Sequence, residues 1–213
     1  NSAGDNCYFL IIKSNSCKES TVPYRTITYN EDGRVATLTL NRPEAGNRVN
    51  AELAQELVEA CSRINQGEEI MAVIITGAGK EAFSVGSDPS LPSEMQMVAM
   101  QSPATAIAIV ACPVIAAING DALGQGLELA LACDIRIAQE GAKFGFPDIA
   151  ADLISRDGGT QRLPRLIGKG KAMEMLLTGE LIDAAEACQV GLVNEVVPPR
   201  ELLPTAMNMA QTI

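Results

Sequence analysis

Short apolar runs that alternate with helix-like segments are the feature that most constrains this chain. Met71–Thr76 and Pro113–Ile118 are too short for a typical helix, and they lack the polar alternation of a half-exposed strand. A short, wholly apolar run of this kind is typical of a strand buried on both faces. In Ala51–Ile64, by contrast, apolar residues recur at helical spacing, and Asn50 stands where an N-cap is expected. Because buried strands that alternate with helices form layered domains, the pattern predicts an α/β fold.

Two further strands are expected before the first helix, at Tyr24–Tyr29 and Arg34–Leu40. The turn between them contains Asp32-Gly33, a dipeptide that favours a β-hairpin. Periodicity predicts these later elements: strands Cys133–Ala138 and Val193–Val197, and helices Leu127–Ala132, Gly159–Ile167, Lys171–Leu177, Ala184–Val190 and Glu201–Thr212. Residues 1–22 show no lasting periodicity and are expected to form a poorly ordered leader or tail.

The composition excludes several classes of partner and chemistry. The 213 residues carry a formal net charge of −10, whereas nucleic acids and anionic membranes attract basic surfaces, so neither is an expected partner. Histidine is absent, which removes Ser-His-Asp and Cys-His catalysis and the common zinc sites. Acid–base chemistry would therefore use carboxylates, Lys, Tyr or Cys.

The cysteines and the hydropathy bear on the compartment. The six cysteines form no CxxC pair and are expected to be buried free thiols in a reducing compartment: Cys7, Cys17, Cys61, Cys112, Cys133 and Cys188. No apolar stretch reaches the ~18 residues of a membrane span, so membrane insertion is not expected. Together these features predict a cytoplasmic protein, or a mitochondrial-matrix protein in a eukaryote.

The segment Asn119–Glu128 carries the strongest local signal for chemistry. Glycines at this strand-to-helix turn let a ligand approach the backbone, and the N–H groups of the helix start favour negative charge there. Glu128 follows among apolar neighbours, where desolvation should raise its pKa. An exposed Glu128, or one satisfied by a neighbouring group, is an equal alternative. By contrast, Gly77-Ala78-Gly79 lacks a third glycine and predicts a plain turn rather than a dinucleotide loop.

Ordered motifs along the chain resemble those of the crotonase (enoyl-CoA hydratase/isomerase) superfamily. The resemblance covers roughly residues 24–205. The matching stretches are Asn41-Arg42-Pro43 with Ala45 and Asn47, Phe83–Asp88, Pro113–Gly120, Ala122–Ala130 with Cys133-Asp134-Ile135, Gly158–Leu163, and Ala172–Met175 through Thr178-Gly179. The resemblance implies a crotonase-like ββα spiral core over residues 23–198. It also implies that residues 199–213 begin a C-terminal helical trimerisation region, truncated here.

The same resemblance assigns roles to individual residues. Main-chain N–H groups of Ser87 and Gln125 would form an oxyanion hole, Glu128 would act as the base and Asp148 as the acid. Further residues are expected to bind the substrate or its coenzyme A moiety: Arg42, Ala45, Asn47, Ser84, Val85, Gly86, Asp88 and Gly124. No metal and no separate cofactor is expected, because coenzyme A is part of the substrate.

Three departures from the family pattern concern the reaction. Asp148 stands where hydratases have Glu, and Gln125 stands where Gly is usual, so the Gln125 side chain could crowd the thioester. The stretch Ile154-Ser155-Arg156-Asp157 replaces a smaller Pro-Gly-Ala-like segment, and Arg156 with Asp157 is either a solvated pair or a catalytic element. In addition, Met95, Met97 and Met100 either line an acyl pocket or fill core space.

The leading expectation is an enoyl-CoA hydratase that adds water across the 2,3 double bond of an acyl-CoA thioester. An isomerase or a thioester hydrolase of the same family is the second reading. A member that binds acyl-CoA, or assembles with a partner, without turnover is the third. The family resemblance also implies a homotrimer or a hexamer.

Overall fold

The fold of this α/β chain is described by a computed structural model for residues 24–67, 69–89 and 102–213. Within these ranges ten strands form two sheets, and helices cover both faces of the larger one. The strands are β1 Ile27–Asp32, β2 Val35–Leu40, β3 Ala72–Gly77, β4 Ala82–Ser84, β5 Val114–Ile118, β6 Asp121–Leu123, β7 Ile135–Gln139, β8 Lys143–Gly145, β9 Ile182–Asp183 and β10 Glu195–Val197. The arrangement confirms the predicted α/β fold.

The helices lie between the strands and after them. The α-helices are α1 Ala51–Gln66, α2 Pro103–Ala108, α3 Gln125–Ala132, α4 Gly159–Ile167, α5 Lys169–Thr178, α6 Ala184–Gln189 and α7 Leu202–Thr212. Short 3-10 helices occupy Pro43–Ala45, Pro147–Ala151 and Pro199–Glu201. None of the helices in the described ranges is long and apolar enough to cross a lipid bilayer.

The larger sheet has the order β1-β2-β3-β5-β7-β10. Strands β1 and β2 form the predicted antiparallel hairpin, and the other neighbours are parallel. All residues of β3 and β5 are buried, as their apolar sequences predict. Val73 and Ile75 of β3 face the core that contains α1 and α3, whereas Ile74 faces the core that contains α7. Helices on both sides explain why these strands lack polar alternation.

The smaller sheet was not predicted. It has the order β4-β6-β8-β9, and its strands are only two or three residues long. Strand β6 follows β5 directly and leads through Gly124 into α3. This sheet therefore sets where the glycine turn and the start of α3 lie.

Local signals account for several element boundaries. Asn50 caps α1, because its side chain accepts a hydrogen bond from the N–H of Leu53 at 2.8 Å. Gly77-Ala78-Gly79 is the predicted turn, and Asn119 holds it through hydrogen bonds with Gly77 and Gly79 at 2.8–3.1 Å. The strand predicted at Cys133 begins at Ile135 instead, because Cys133 still caps α3 through the carbonyl of Ala130.

The cysteine prediction is correct only in part. All four cysteines in the described ranges are free thiols; Cys61 and Cys133 are buried, Cys112 is half-buried and Cys188 is exposed. The expected burial of Cys188 is therefore wrong. The remaining thiols, Cys7 and Cys17, lie outside the described residues, as do the expected leader 1–22 and the three methionines Met95, Met97 and Met100.

Candidate active site

A cavity of about 440 Å³ opens where α3 meets the loops after β4 and β8. It brings together four sequence-predicted residues, Ser87, Gln125, Glu128 and Asp148. Its other lining residues are Arg48, Asp88, Pro89, Ser102, Pro103, Gly124, Ala151, Leu153, Ile154, Ser155, Arg156 and Asp157. Apolar and charged side chains therefore share one enclosure, as is common in ligand sites.

Glu128 lies within the first turn of α3 and is 3% exposed. Its Oε1 accepts three hydrogen bonds, from Ser155 Oγ at 2.5 Å, the N–H of Asp157 at 2.6 Å and the N–H of Gly159 at 2.8 Å. Burial raises the pKa of Glu128, and these three donors lower it in part. The carboxylate is thus both desolvated and hydrogen-bonded, which combines two readings that the sequence alone left as alternatives.

Asp157 does not form the solvated pair with Arg156 that was one expected reading. Its side chain is 8% exposed and accepts hydrogen bonds from Ser102 Oγ and, at 3.0 Å, from the N–H of Ala104. The carboxylate therefore satisfies the start of α2, where helix N–H groups lack intrahelical partners. Arg156 is exposed and lines the cavity. A catalytic role for Arg156 stays an open prediction.

Ser87 and Gln125 are in direct contact. Ser87 Oγ lies 2.8 Å from Gln125 Oε1, so the Gln125 side chain is tied to Ser87. Val49 pairs with the chain on both sides of Ser87, through the carbonyl of Gly86 and the N–H of Asp88, both at 2.9 Å. Because neighbouring residues of an extended chain direct their main-chain groups to opposite sides, the N–H of Ser87 faces away from Val49.

The N–H of Gln125 has no hydrogen-bond acceptor within its own helix. Gln125 is the first residue of α3, and N–H groups in the first turn have no intrahelical acceptor. Between residues that the structure describes, no hydrogen bond has the N–H of Ser87 or of Gln125 as its donor. Neither main-chain donor is therefore engaged by a described residue.

Asp148 reaches the same cavity from the 3-10 helix after β8. Its carboxylate lies against Gly124, where a Cβ would overlap Oδ2, and a Cβ on Gly86 would stand 3.8 Å from Oδ2. Burial raises the pKa of Asp148, whereas the charge of Arg48 lowers it in part. Asp148 is thus adjacent to both glycines that precede the candidate donor residues.

Of the eight residues predicted to bind the substrate or its coenzyme A moiety, two line the cavity, Asp88 and Gly124. Arg42 lies behind this wall, where it pairs with Asp88 at 2.9 Å and donates to the carbonyl of Arg48 at 2.6 Å. Ala45 ends the first 3-10 helix and Val85 follows β4; a hydrogen bond from the N–H of Val85 to the carbonyl of Gly46 at 3.0 Å joins these two segments.

The side chains of Asn47 and Ser84 are fully buried. The Asn47 amide group bonds main-chain atoms of Arg42, Ala78 and Ala82 at 2.9–3.0 Å, so it joins the segment after β2 to the β3–β4 turn and to the start of β4. These hydrogen bonds fix the main-chain conformation of the segments that they join. Ligand contacts of Arg42, Ala45, Asn47, Ser84, Val85 and Gly86 stay predictions.

Two residues of the cavity wall were missed by sequence reasoning as participants in the site. Arg48 influences Asp148 and donates to the carbonyl of Ser87 at 2.9 Å. Ser155 was noted only as part of a divergent stretch, yet its hydroxyl bonds the buried carboxylate of Glu128. Neither residue lies in a local sequence motif that indicates a function. Only the divergent stretch Ile154–Asp157 could have pointed to Ser155.

Comparisons with known proteins agree on one family. A family model described as enoyl-CoA hydratase/isomerase matches residues 30–213. The short-chain-enoyl-CoA hydratase of Clostridium acetobutylicum is 41% identical over 190 residues, which are 86% of this chain and 73% of the relative. The (E)-benzylidenesuccinyl-CoA hydratase of Thauera aromatica is 42% identical over 193 residues, which are 88% of this chain and 75% of the relative.

A solved structure agrees as well. The crystal structure of enoyl-CoA hydratase from Bacillus anthracis matches with a TM-score of 0.85 at 39% identity and covers 88% of this chain and 76% of that chain. This likeness confirms the crotonase-like form of the predicted α/β fold. With these matches over most of its length, the chain belongs to the enoyl-CoA hydratase/isomerase family.

Proposed function

We propose that this chain adds water across the 2,3 double bond of an enoyl-CoA thioester. The observation that carries the proposal is the convergence of two carboxylates, Glu128 and Asp148, with Ser87 and Gln125 on one cavity. Each of the latter two residues has a main-chain N–H without an acceptor among the described residues. Family membership supports the same reaction class.

The two N–H groups would bind the thioester oxygen. When water adds at C3, negative charge develops on that oxygen, and donors already aimed at it stabilise the enolate-like transition state. Each such donor typically contributes ~10²–10³ in rate. The contact between Ser87 Oγ and Gln125 Oε1 supports this role, because it holds the two segments together.

The carboxylates would divide the proton transfers. Glu128 takes a proton from water as the oxygen attacks C3, and Asp148 delivers a proton to C2. The product is the 3-hydroxyacyl thioester, and exchange of one proton with solvent returns both groups to their starting states. Glu128 suits the base, because three hydrogen bonds stabilise its ionised form despite burial. Asp148 suits the acid, because burial favours its protonated form.

The proposal needs no metal or redox cofactor, and coenzyme A enters as part of the substrate. In the family arrangement the loops around Ala45 and Val85 would contact the coenzyme A moiety, chiefly through main-chain groups. A homotrimer or hexamer is proposed as the assembly. Relatives named for a short-chain and for a benzylidenesuccinyl substrate are 41% and 42% identical to this chain, so short-chain and aromatic enoyl thioesters are both candidate substrates.

An enoyl-CoA isomerase is the second candidate. One observation favours it: Asp148 accepts no side-chain hydrogen bond from a described residue, whereas Glu128 accepts three on a single oxygen. An isomerase can shuttle a proton with one carboxylate, and of the two carboxylates only Glu128 is fixed by hydrogen bonds from described residues.

Incubation with 2-enoyl and 3-enoyl thioesters of coenzyme A tests the proposal. Hydration adds one water to the mass of a 2-enoyl substrate, whereas isomerisation of a 3-enoyl substrate leaves the mass unchanged. We expect hydration of a 2-enoyl thioester and a loss of roughly 10²–10⁴ in rate for Glu128→Gln. Binding without any product across the panel would contradict the proposal and favour a non-catalytic acyl-CoA-binding protein.

A further inference from the structure

The base candidate Glu128 accepts hydrogen bonds from one side-chain donor and two main-chain donors. Two of its three hydrogen bonds come from the main-chain N–H groups of Asp157 and Gly159, which do not depend on a side-chain functional group. The third comes from the hydroxyl of Ser155, which the identity of residue 155 alone determines. Of the three hydrogen bonds to Glu128, the one from Ser155 can thus be removed by changing one side chain.

The surroundings of Ser155 are built to accept its hydroxyl. A Cβ on residue 159 would overlap Ser155 Oγ, so the glycine at that position provides the space that the hydroxyl occupies. The same glycine supplies one of the N–H donors to Glu128. Ser155, Gly159 and Glu128 therefore form one packed unit in which the hydroxyl has a defined place.

The geometry also separates the two oxygens of the carboxylate. All three donors meet Oε1. Rotation of the carboxylate would break these bonds, so Oε1 is fixed and Oε2 is the oxygen left for a reacting water. Burial raises the pKa of Glu128 and the nearby charge of Asp157 raises it further, whereas the Ser155 hydroxyl and the two N–H groups lower it in part.

We propose that Ser155 is a positioning residue for the reaction, whose hydroxyl orients Glu128 through Oε1 and keeps the carboxylate in its ionised, proton-accepting form. This inference rests on the proposed function of Glu128 as the base. Ser155 acts through Glu128 and has no proton-transfer role of its own. It belongs to the Ile154–Asp157 stretch that departs from the family pattern, so this part of the hold is a particular feature of the chain.

Ser155→Ala removes the hydroxyl and little volume. Hydrogen bonds to charged groups are worth roughly tenfold or more in an equilibrium, so we expect kcat/KM near neutral pH to fall by about that factor. The acid limb of the pH profile should move to higher pH by about one unit, because the remaining donors stabilise the ionised base less well. Ser155→Thr keeps the hydroxyl and should retain the wild-type limb. Ser62→Ala removes an equivalent hydroxyl from the exposed face of α1 and should change neither quantity.

A titration followed by ¹³C NMR separates this inference from the proposed function. Protein labelled at glutamate carboxyl carbons gives the pKa of Glu128 directly, with its signal assigned by its loss in Glu128→Gln. A higher pKa in Ser155→Ala than in wild type supports the inference even if no enoyl thioester is hydrated, in which case the proposed function alone fails. An unchanged pKa would overturn the inference. An equal loss of activity in Ser155→Ala and Ser155→Thr with an unmoved acid limb would also overturn it, since that result indicates packing alone.

Discussion

The carboxylate of Asp148 lies directly against Gly124, so that a methyl group at position 124 would overlap Oδ2 and stand 3.1 Å from Cγ. Gly124 itself has φ +50° and ψ −124°, which glycine adopts far more readily than other residues. Gly124 therefore joins two requirements in one residue: the turn from β6 into α3, and space for the candidate acid.

Gly124→Ala is expected to abolish most hydration, by ~10²-fold or more, because the methyl group displaces Asp148 and moves the N–H of Gln125. Steady-state rates with a 2-enoyl thioester check this. Gly33→Ala is the matched control: it also places alanine at positive φ, +60°, but nothing lies within 4 Å of its Cβ. It should cost some stability and leave kcat unchanged. Equal losses of activity in both variants would indicate that backbone strain, rather than crowding of Asp148, explains the effect.

Glu128→Gln should change how stability depends on pH. Burial raises the pKa of Glu128 in the folded state, so that state holds the proton more tightly than the unfolded chain. Between the ordinary carboxyl pKa, about 4.3, and the raised value, ionisation destabilises the folded state. Wild type should therefore lose stability relative to Glu128→Gln as pH rises through that window and then level off. Urea denaturation at a series of pH values measures the difference, and a difference that grows in favour of wild type would contradict the burial account.

Asp148→Asn tests the division of labour between the carboxylates. Asparagine has nearly the same shape but cannot deliver a proton to C2, so hydration should fall by roughly 10²–10⁴. Binding of a saturated acyl-CoA, measured by calorimetry, should change little, which shows that the site is intact. Hydration within a few-fold of wild type would remove the two-carboxylate mechanism and leave Glu128 as the sole proton-transfer group.

Much of the fold was predictable because its strongest signals are local. The apolar strand β3, the N-cap Asn50 and the Asp32-Gly33 turn each express a preference that a few neighbouring residues determine. The second sheet was missed because strands such as Ala82–Ser84 and Lys143–Gly145 are too short to show a period. Their pairing depends on residues far away in the sequence.

The candidate site shows the same division. The apolar helical neighbours of Glu128 are adjacent in sequence, so a buried carboxylate was one of two equal predictions, and the structure shows that it is buried. Its donor Ser155 is 27 residues away, and Asp157 lies 53 residues from Ala104, whose N–H it accepts. Such contacts follow from packing. The solvated pair expected for Asp157 was wrong because burial against α2 outweighed the general preference of aspartate for solvent.

Asp157→Ala should destabilise the folded chain by about 1–3 kcal/mol, because the buried N–H of Ala104 loses its acceptor. Chemical denaturation measures the loss. Asp183→Ala is a useful comparison, since Asp183 also caps a helix, at the N–H of Glu186, but at an exposed site where water can replace it. Its cost should be smaller, ~0.5–1 kcal/mol. The role given to Asp157 is wrong if the two variants lose the same stability.

The binding of a thioester oxygen by the N–H groups of Ser87 and Gln125 is most directly tested by the vibrational frequency of that carbonyl. Difference Raman or infrared spectra of an acyl-CoA labelled with ¹³C at its thioester carbonyl would be recorded free in water and bound to Glu128→Gln, which should not turn it over. Two preorganised donors should polarise the carbonyl more than water does, so the bound frequency should shift to a lower value. A bound frequency equal to or above that in water would contradict the account.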